Sequence, residues 1–351
     1  MVGGRLLTGL AEVTSDLDAL EGNGLWAVVL AFDAPPVCAR FGSSRPAPGW
    51  ASPRRVPAGP ERPPERGTGP ERAAERAVRP ARWTSSLDRA GYCKRVSMIR
   101  EAIRAGDVYQ VNLCRRLSTP LPEGFDLLDL AAALARGNPA PHAAVVHLPS
   151  VGVSVASASP ERFLRRQGDL IESEPIKGTA RTPAGLTAKD RAENVMIVDL
   201  VRNDLGRVCR YGSVEVTDLC RTERHPGLVH LVSTVRGRLR PGSGWPEILA
   251  ATFPPGSVTG APKLAALGMI SALEPEPRGV YCGGVGWVDA DRREADLNVA
   301  IRTFWVEGGR LNLGTGGGIT WDSTPEQEWA ETELKAARLL QVAAGARWAG
   351  R

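Results

Sequence analysis

Hydrophobic and polar positions alternate between two periods along this chain. Leu25 to Phe32 is a continuous apolar run, which predicts a buried strand, with Val37 to Phe41 as its partner across an Asp-Ala-Pro-Pro turn. From Trp83 onward the pattern is dense. It predicts a helix over 86–105 ending at Gly106, strands near 108–117, a helix near 126–136, and strands near 142–158 and 162–173. A long helix is expected over 188–203, stopping near Gly206. A Gly/Pro-rich loop at 254–262 then leads into a helix at 263–273. Hairpins are predicted for 280–289 with 295–306 and for 300–306 with 310–314, before a last helix over 325–344. Hairpins mixed with long helices indicate an α+β fold, with mainly antiparallel sheets backed by helices outside.

Residues 43–82 break the pattern. They hold nine Pro and a degenerate Pro-Glu-Arg repeat with almost no large apolar side chains, which reads as a flexible linker. Three parts follow: a short β segment at 1–42, the linker at 43–82, and a catalytic domain at 83–346. The same stretch accounts for the net charge of +5, since its nine Arg outnumber its four Glu by five and the rest of the chain is neutral. Basicity confined there gives no basic face, so no nucleic-acid partner is expected. No run of 18 apolar residues occurs and the first residues lack a signal-peptide pattern. The expectation is a cytoplasmic protein with no membrane contact. Six scattered cysteines without a C-x-x-C pair exclude zinc-ribbon and thioredoxin-type chemistry.

Of 44 basic residues only five are lysine: Lys94, Lys177, Lys189, Lys263 and Lys335. A chain that writes Arg nearly everywhere leaves lysine for what Arg cannot do, including attack as an amine. Lys177 lies in Pro175-Ile176-Lys177-Gly178-Thr179, where it is either a surface turn lysine or a rigidly held nucleophile. Thr324 to Gln327 reads as a capping box that sets the phase of the last helix, so Glu328, Glu331 and Lys335 share a face. That face is either solvated or part of a site beside the upstream run Gly314 to Gly318, which is itself either a tight turn or an anion cradle. Glu193 falls on an apolar stripe of its helix and needs a partner. The partner is an Arg, or a hard divalent cation shared with Glu328 and Glu331; oxygen-only ligands favour Mg²⁺ over zinc. The loop Gly256 to Lys263 has the wrong spacing for a nucleoside triphosphate site but suits a carboxylate.

These segments together resemble the chorismate-binding enzymes, and within them aminodeoxychorismate synthase component I. The resemblance spans about 83–345. It rests on the blocks Gly106–Leu113, Ala158–Phe163, Pro175–Thr179, Asp190–Gly206, His230–Thr234, Gly256–Lys263, Ile301–Thr303 and Gly316–Ile319, in that order. It implies two packed sheets with helices outside, and a Mg²⁺ held by Glu193 and Glu331 with Glu328 close by. It also implies that Tyr281, Arg302 and the Gly316 and Gly318 amides bind the enolpyruvyl carboxylate. Gly317, Lys335 and Thr259 complete the substrate-binding set. Glu161 becomes the acid, and His230 and Thr179 line the same pocket.

Two positions separate the subfamilies. Gln110 stands where isochorismate and salicylate synthases carry a water-activating Lys. Lys177 stands where anthranilate synthases carry Ala. The resemblance therefore implies amination of chorismate through covalent attack by Lys177, toward p-aminobenzoate and folate. Anthranilate synthase and a non-catalytic chorismate binder remain as alternatives. No cysteine sits in a G-x-C-x-G elbow, so ammonia is expected from a separate glutamine amidotransferase subunit. The chain departs from the family in its short N-terminal region, which lacks the leucine-leucine-glutamate-serine element and makes tryptophan binding doubtful. It also carries Glu174 before the Lys177 motif, where a negative charge is expected to favour the ammonium form.

Overall fold

A computed structural model describes residues 1–47, 83–180, 182–225 and 228–346. In chain order the strands are β1 (Arg5–Thr14), β2 (Leu25–Leu30), β3 (Val37–Pro46), β4 (Thr84–Ser85), β5 (Gln110–Pro120), β6 (His142–Leu148), β7 (Val153–Ser159), β8 (Arg162–Gln167) and β9 (Leu170–Glu174). They continue with β10 (Ile176–Ala180), β11 (Glu215–His225), β12 (Leu228–Arg238), β13 (Gly260–Ala261), β14 (Gly284–Asp289), β15 (Glu294–Val299), β16 (Thr303–Glu307) and β17 (Arg310–Ile319). The helices are α1 (Arg89–Ala105), α2 (Leu127–Gly137), α3 (Ala188–Gly206), α4 (Trp245–Thr252), α5 (Lys263–Leu273) and α6 (Pro325–Ala344).

The strands form two sheets. One runs β1-β3-β2-β14-β15-β8-β9-β12-β10 with β11 beside β12; the other runs β13-β5-β17-β16-β7-β6 with β4 beside β5. Every pairing among the described strands is antiparallel. The sheets face each other across one core that takes Val146, Leu148 and Val155 from the second and Trp26, Val285 and Leu297 from the first. Helix α3 covers the outer face of the first sheet with Ile197, Val198, Val201 and Leu205. Helices α1 and α5 close on β5 through Tyr92, Ile99 and Ile270, and α2 meets α6 through Leu130 and Leu339. The α+β architecture is the one expected. No helix among the described residues is long and apolar enough to cross a membrane.

Several boundaries differ from the pattern. Residues 43–46 continue β3, paired with β1 up to Arg5↔Pro46, so the N-terminal β segment runs past 42. That segment is an edge of the large sheet, joined to it through β2 and β14. Residues 48–82, most of the expected linker, lie outside the described residues. The expected strand at 142–158 is two strands, broken by a single turn at Pro149–Val151. The hairpin β11–β12 and helix α4 carry no strong local signal; pairing with β9 and β10 and packing against α3 make them.

The expected hairpin over 280–306 also resolves differently. β14 pairs with β15, but β16 belongs to the other sheet. The chain changes sheets at Ile301 and Arg302, where Arg302 takes a left-handed φ of 51°.

Candidate active site

Lys177 sits at a bulge. In the β10–β12 ladder the register shifts between Lys177 and Thr179, and Gly178 absorbs the shift with φ +78°. Gly178 is pressed against Asp190, whose carboxylate closes the capping box of α3 with Thr187. The bulge turns the half-buried Lys177 inward, where its Nζ donates to the Ser257 carbonyl at 3.1 Å. Burial lowers its pKa, and the Lys335 charge works in the same direction; Glu193 and Glu161 oppose both. Glu174 does not burden this amine as expected, because its carboxylate is taken up by Arg162.

Glu161 follows β7 and is 4% exposed. Burial pushes its carboxyl up to about 7, against hydrogen bonds from Ser257 and the Ile176 amide and against the Lys177 charge. A buried carboxyl raised this far holds its proton near neutrality, as a general acid must. His230 is buried on β12, opposite Thr179 in the backbone register. The side chain of Thr179 lies outside the described residues.

Three glutamates come from two helices. On α3, the half-buried Glu193 is met by Lys189 at 3.8 Å, one turn away, and by no Arg among the described residues. On α6, Glu328 is buried and accepts from the Ser323 hydroxyl at 2.6 Å. Burial pushes the Glu331 carboxyl up, but Lys335, with Lys177 and Lys189, pulls it below its ordinary value. Lys335 lies 2.5 Å from Glu331 and donates to the Gly316 carbonyl at 2.9 Å. Burial raises the pKa of Glu193 and of Glu328, and the Glu331 charge adds to the rise of each. The Glu331 charge thus reaches both Glu193 of α3 and Glu328 of its own helix. The capping box expected at Thr324 does not form; its side chain makes no capping bond, and Pro325 starts the helix.

The glycine run is a strand end, not a turn. Gly314 to Gly318 pair along β5 from Arg116 to Asn112. What the missing side chains permit is close approach. A Cβ at Gly317 would lie 2.9 Å from Glu328 Oε2 and 3.9 Å from Glu331 Oε1; one at Gly318 would lie 2.1 Å from Gln110 Nε2. Gln110 itself is buried, with an Oε1 that has no hydrogen-bond partner among the described residues.

Arg302 is half-buried at the sheet crossover, and burial alone lowers its pKa, with no carboxylate acting on it among the described residues. Such an arginine is suited to an incoming anion. Tyr281 is buried with its ring against Gly314, among Cys114, Cys282, Arg278 and Glu274, so it supports the glycine strand from below. Thr259 is fully buried and donates its hydroxyl to the Pro255 carbonyl at 3.1 Å, which ties the loop. Ser257, Ser323 and Lys189 were not legible as site residues. Of the three, only Ser257 lies in a block singled out by sequence.

A family model described as chorismate binding enzyme matches residues 58–341. The chain belongs to the chorismate-binding enzymes. It is 41% identical over 280 residues to an anthranilate synthase component 1 of Haloarcula marismortui, covering 75% of this chain and 55% of that protein. It is 38% identical over 258 residues to the aminodeoxychorismate synthase component 1 of Bacillus subtilis, covering 70% and 54%. The chain thus spans about half the length of these curated relatives. Among solved structures, anthranilate synthase component I of Streptococcus pneumoniae superposes with a TM-score of 0.77 at 24% identity, over 96% of this chain and 91% of that one. The likeness establishes the fold.

Proposed function

We propose that this chain aminates chorismate to 4-amino-4-deoxychorismate, as an aminodeoxychorismate synthase component I. The observation that carries the reading is Lys177: an amine depressed by burial, turned inward by a bulge, beside a carboxyl that keeps its proton near neutrality. The neutral amine attacks C2 of the ring and both ring double bonds shift, C1=C2 to C1=C6 and C5=C6 to C4=C5. The C4–O bond breaks, and the hydroxyl takes the Glu161 proton and leaves as water. Ammonia then adds at C4, the electrons shift back and the C2–N bond to Lys177 breaks. The extra proton on the new amino group returns to Glu161. The net change is ammonia in and water out, with the enolpyruvyl group kept.

Arg302 supplies the fork for a substrate carboxylate. Among the described residues no three Asp, Glu, His or Cys side chains converge closely enough to hold a metal ion. The donor chemistry nevertheless suits Mg²⁺, because Glu193, Glu328 and Glu331 are hard oxygen donors and the Glu331 charge acts on both of the others. Glu193 and Glu331 would hold the ion, with Glu328 beside them, once Lys335 gives up Glu331. Bound there, it would supply positive charge against the ring carboxylate. Ammonia would come from a separate glutamine amidotransferase subunit, and the product would serve p-aminobenzoate and folate synthesis.

The second reading is anthranilate synthase, favoured by the identity to relatives of that name. Purified protein with chorismate, ammonium and Mg²⁺ decides between them. Aminodeoxychorismate without pyruvate is expected; anthranilate with stoichiometric pyruvate would overturn the first reading. Lys177→Ala should abolish amination while chorismate binding survives, and wild-type rates in that variant would remove the nucleophile. A non-catalytic binder would show neither product nor a Lys177 adduct in intact-mass spectra.

A further inference from the structure

The loop before α5 meets the reacting pair at one residue that neither helix nor strand pattern marks. Ser257 is 6% exposed. Its carbonyl accepts the Lys177 amine at 3.1 Å, and its side chain lines one cavity with the Glu161 carboxyl and lowers that group's pKa as a hydrogen-bonding hydroxyl does. Glu161 comes from the connection between β7 and β8 and Lys177 from β10, and the two do not pair directly through any hydrogen bond among the described residues.

The loop is itself fixed from three sides. The Thr259 hydroxyl holds the Pro255 carbonyl at 3.1 Å, and the Thr259 carbonyl accepts from the Asn112 amide of β5 at 2.7 Å. Lys263 pairs with the buried Asp204 of α3 at 2.5 Å and donates to the Thr252 carbonyl at 3.3 Å. A main-chain carbonyl held this firmly gives an amine one direction to point.

We propose that Ser257 is the positioning residue that registers the acid with the amine, holding Glu161 through its hydroxyl and Lys177 through its carbonyl. The proposal rests on the reading of Glu161 and Lys177 as the reacting pair. The hydroxyl arm is the one a substitution reaches. A hydroxyl donating to a carboxylate favours the ionised form, so removing it raises the pKa of Glu161. Other charges near Glu161 are Lys177 on β10, Arg162 committed to Asp296, and Asp204 across a cavity of about 20 Å³, held by Lys263. The Ser257 substitution removes none of them.

In Ser257→Ala the limb of the pH–rate profile assigned to Glu161 should move up by roughly one pH unit. Ser257→Thr, which keeps the hydroxyl, should restore it. Ser257→Cys, near-isosteric and a weak donor, should shift the limb part of the way and covers the case in which Ser257→Ala does not fold. The same titration is read without turnover from the Glu161 carboxyl stretch, as the infrared difference between each protein and its Glu161→Gln counterpart. If Lys177→Ala proves active, the covalent reading fails while the infrared titration still decides the Ser257 contact. An unmoved Glu161 titration in folded Ser257→Ala or Ser257→Cys protein would overturn the proposal.

Discussion

The Lys335 amine lies 2.5 Å from the Glu331 carboxylate one turn back on α6, and the same amine reaches the Gly316 carbonyl of β17 at 2.9 Å. One side chain thus clips the acidic helix to the glycine strand and occupies a carboxylate that a cation would need. Both partners are more than 40% exposed at the side chain, so solvent screens the pair and its share of stability is below about 1 kcal/mol. Lys335→Met should therefore melt near the wild type yet bind Mg²⁺ at lower concentration, because Glu331 is released. Calorimetric titration with Mg²⁺ checks this, and an unchanged half-saturation point would show that the lysine and the ion do not compete.

Two glycines of β17 should respond differently to the same methyl group. A Cβ at Gly314 would lie 2.0 Å from the buried Tyr281 ring, which has nowhere to go. Gly314→Ala should lose about 1–3 kcal/mol in urea denaturation, as overpacked cores do. A Cβ at Gly317 meets the free end of Glu328 at 2.9 Å. Gly317→Ala should keep most of its stability but push Glu328 off the Ser323 hydroxyl and raise the Mg²⁺ requirement. Equal stability losses in both would contradict this division of labour.

What the sequence disclosed and what it hid divide along chain distance. The Glu331–Lys335 pair was legible because an α-helix brings positions four apart together. The Lys177–Ser257 contact spans 80 residues and two structural elements, and no local pattern encodes it. Only the turn reading of the glycine run fails, for the same reason: glycines usually mark turns, but here they sit in a ladder, with Glu328, Gln110 and Tyr281 brought against it from elsewhere in the chain. Glu193 was rightly seen to need a partner. Its cationic neighbours are Lys177 and, one turn away, Lys189, where the sequence left an Arg or a divalent cation open.

Gly178 couples Lys177 to the acidic helix. Its φ of +78° disfavours any side chain, and a Cβ there would come within 2.7 Å of the Asp190 Cβ. Left-handed backbone at a non-glycine residue costs roughly 1–2 kcal/mol. Displacing Asp190 also breaks its bonds to the Thr187 amide at 2.7 Å and hydroxyl at 2.6 Å, which cap the turn leading to Glu193. Gly178→Ala should lose about 2 kcal/mol and more than tenfold in amination rate, although no reacting group is altered. Faster amide exchange over 188–194 would locate the cause; unchanged exchange with a lost rate would place it at Lys177 alone.

Two buried groups should shape the pH dependence of stability in opposite directions. Glu161 rises from 4.5 to about 7 on folding, mainly by burial, so between those values the folded chain holds the extra proton and stability falls as pH rises. The full loss, about 3 kcal/mol, is in place above pH 7. His142 drops from 6.5 to about 4, again mainly by burial, so the unfolded chain holds the extra proton there and stability falls as pH decreases. From pH 4.5 to 6.5 the two slopes cancel. Glu161→Gln should therefore be more stable than the wild type at pH 8, with activity lost, the sign of a residue held for chemistry at the expense of folding. His142→Gln should instead remove the compensating slope, so that stability falls as pH rises from 4.5 to 6.5. Urea midpoints measured from pH 4 to 8 check both, and a Glu161→Gln protein no more stable than wild type at pH 8 would mean that the carboxyl is not raised.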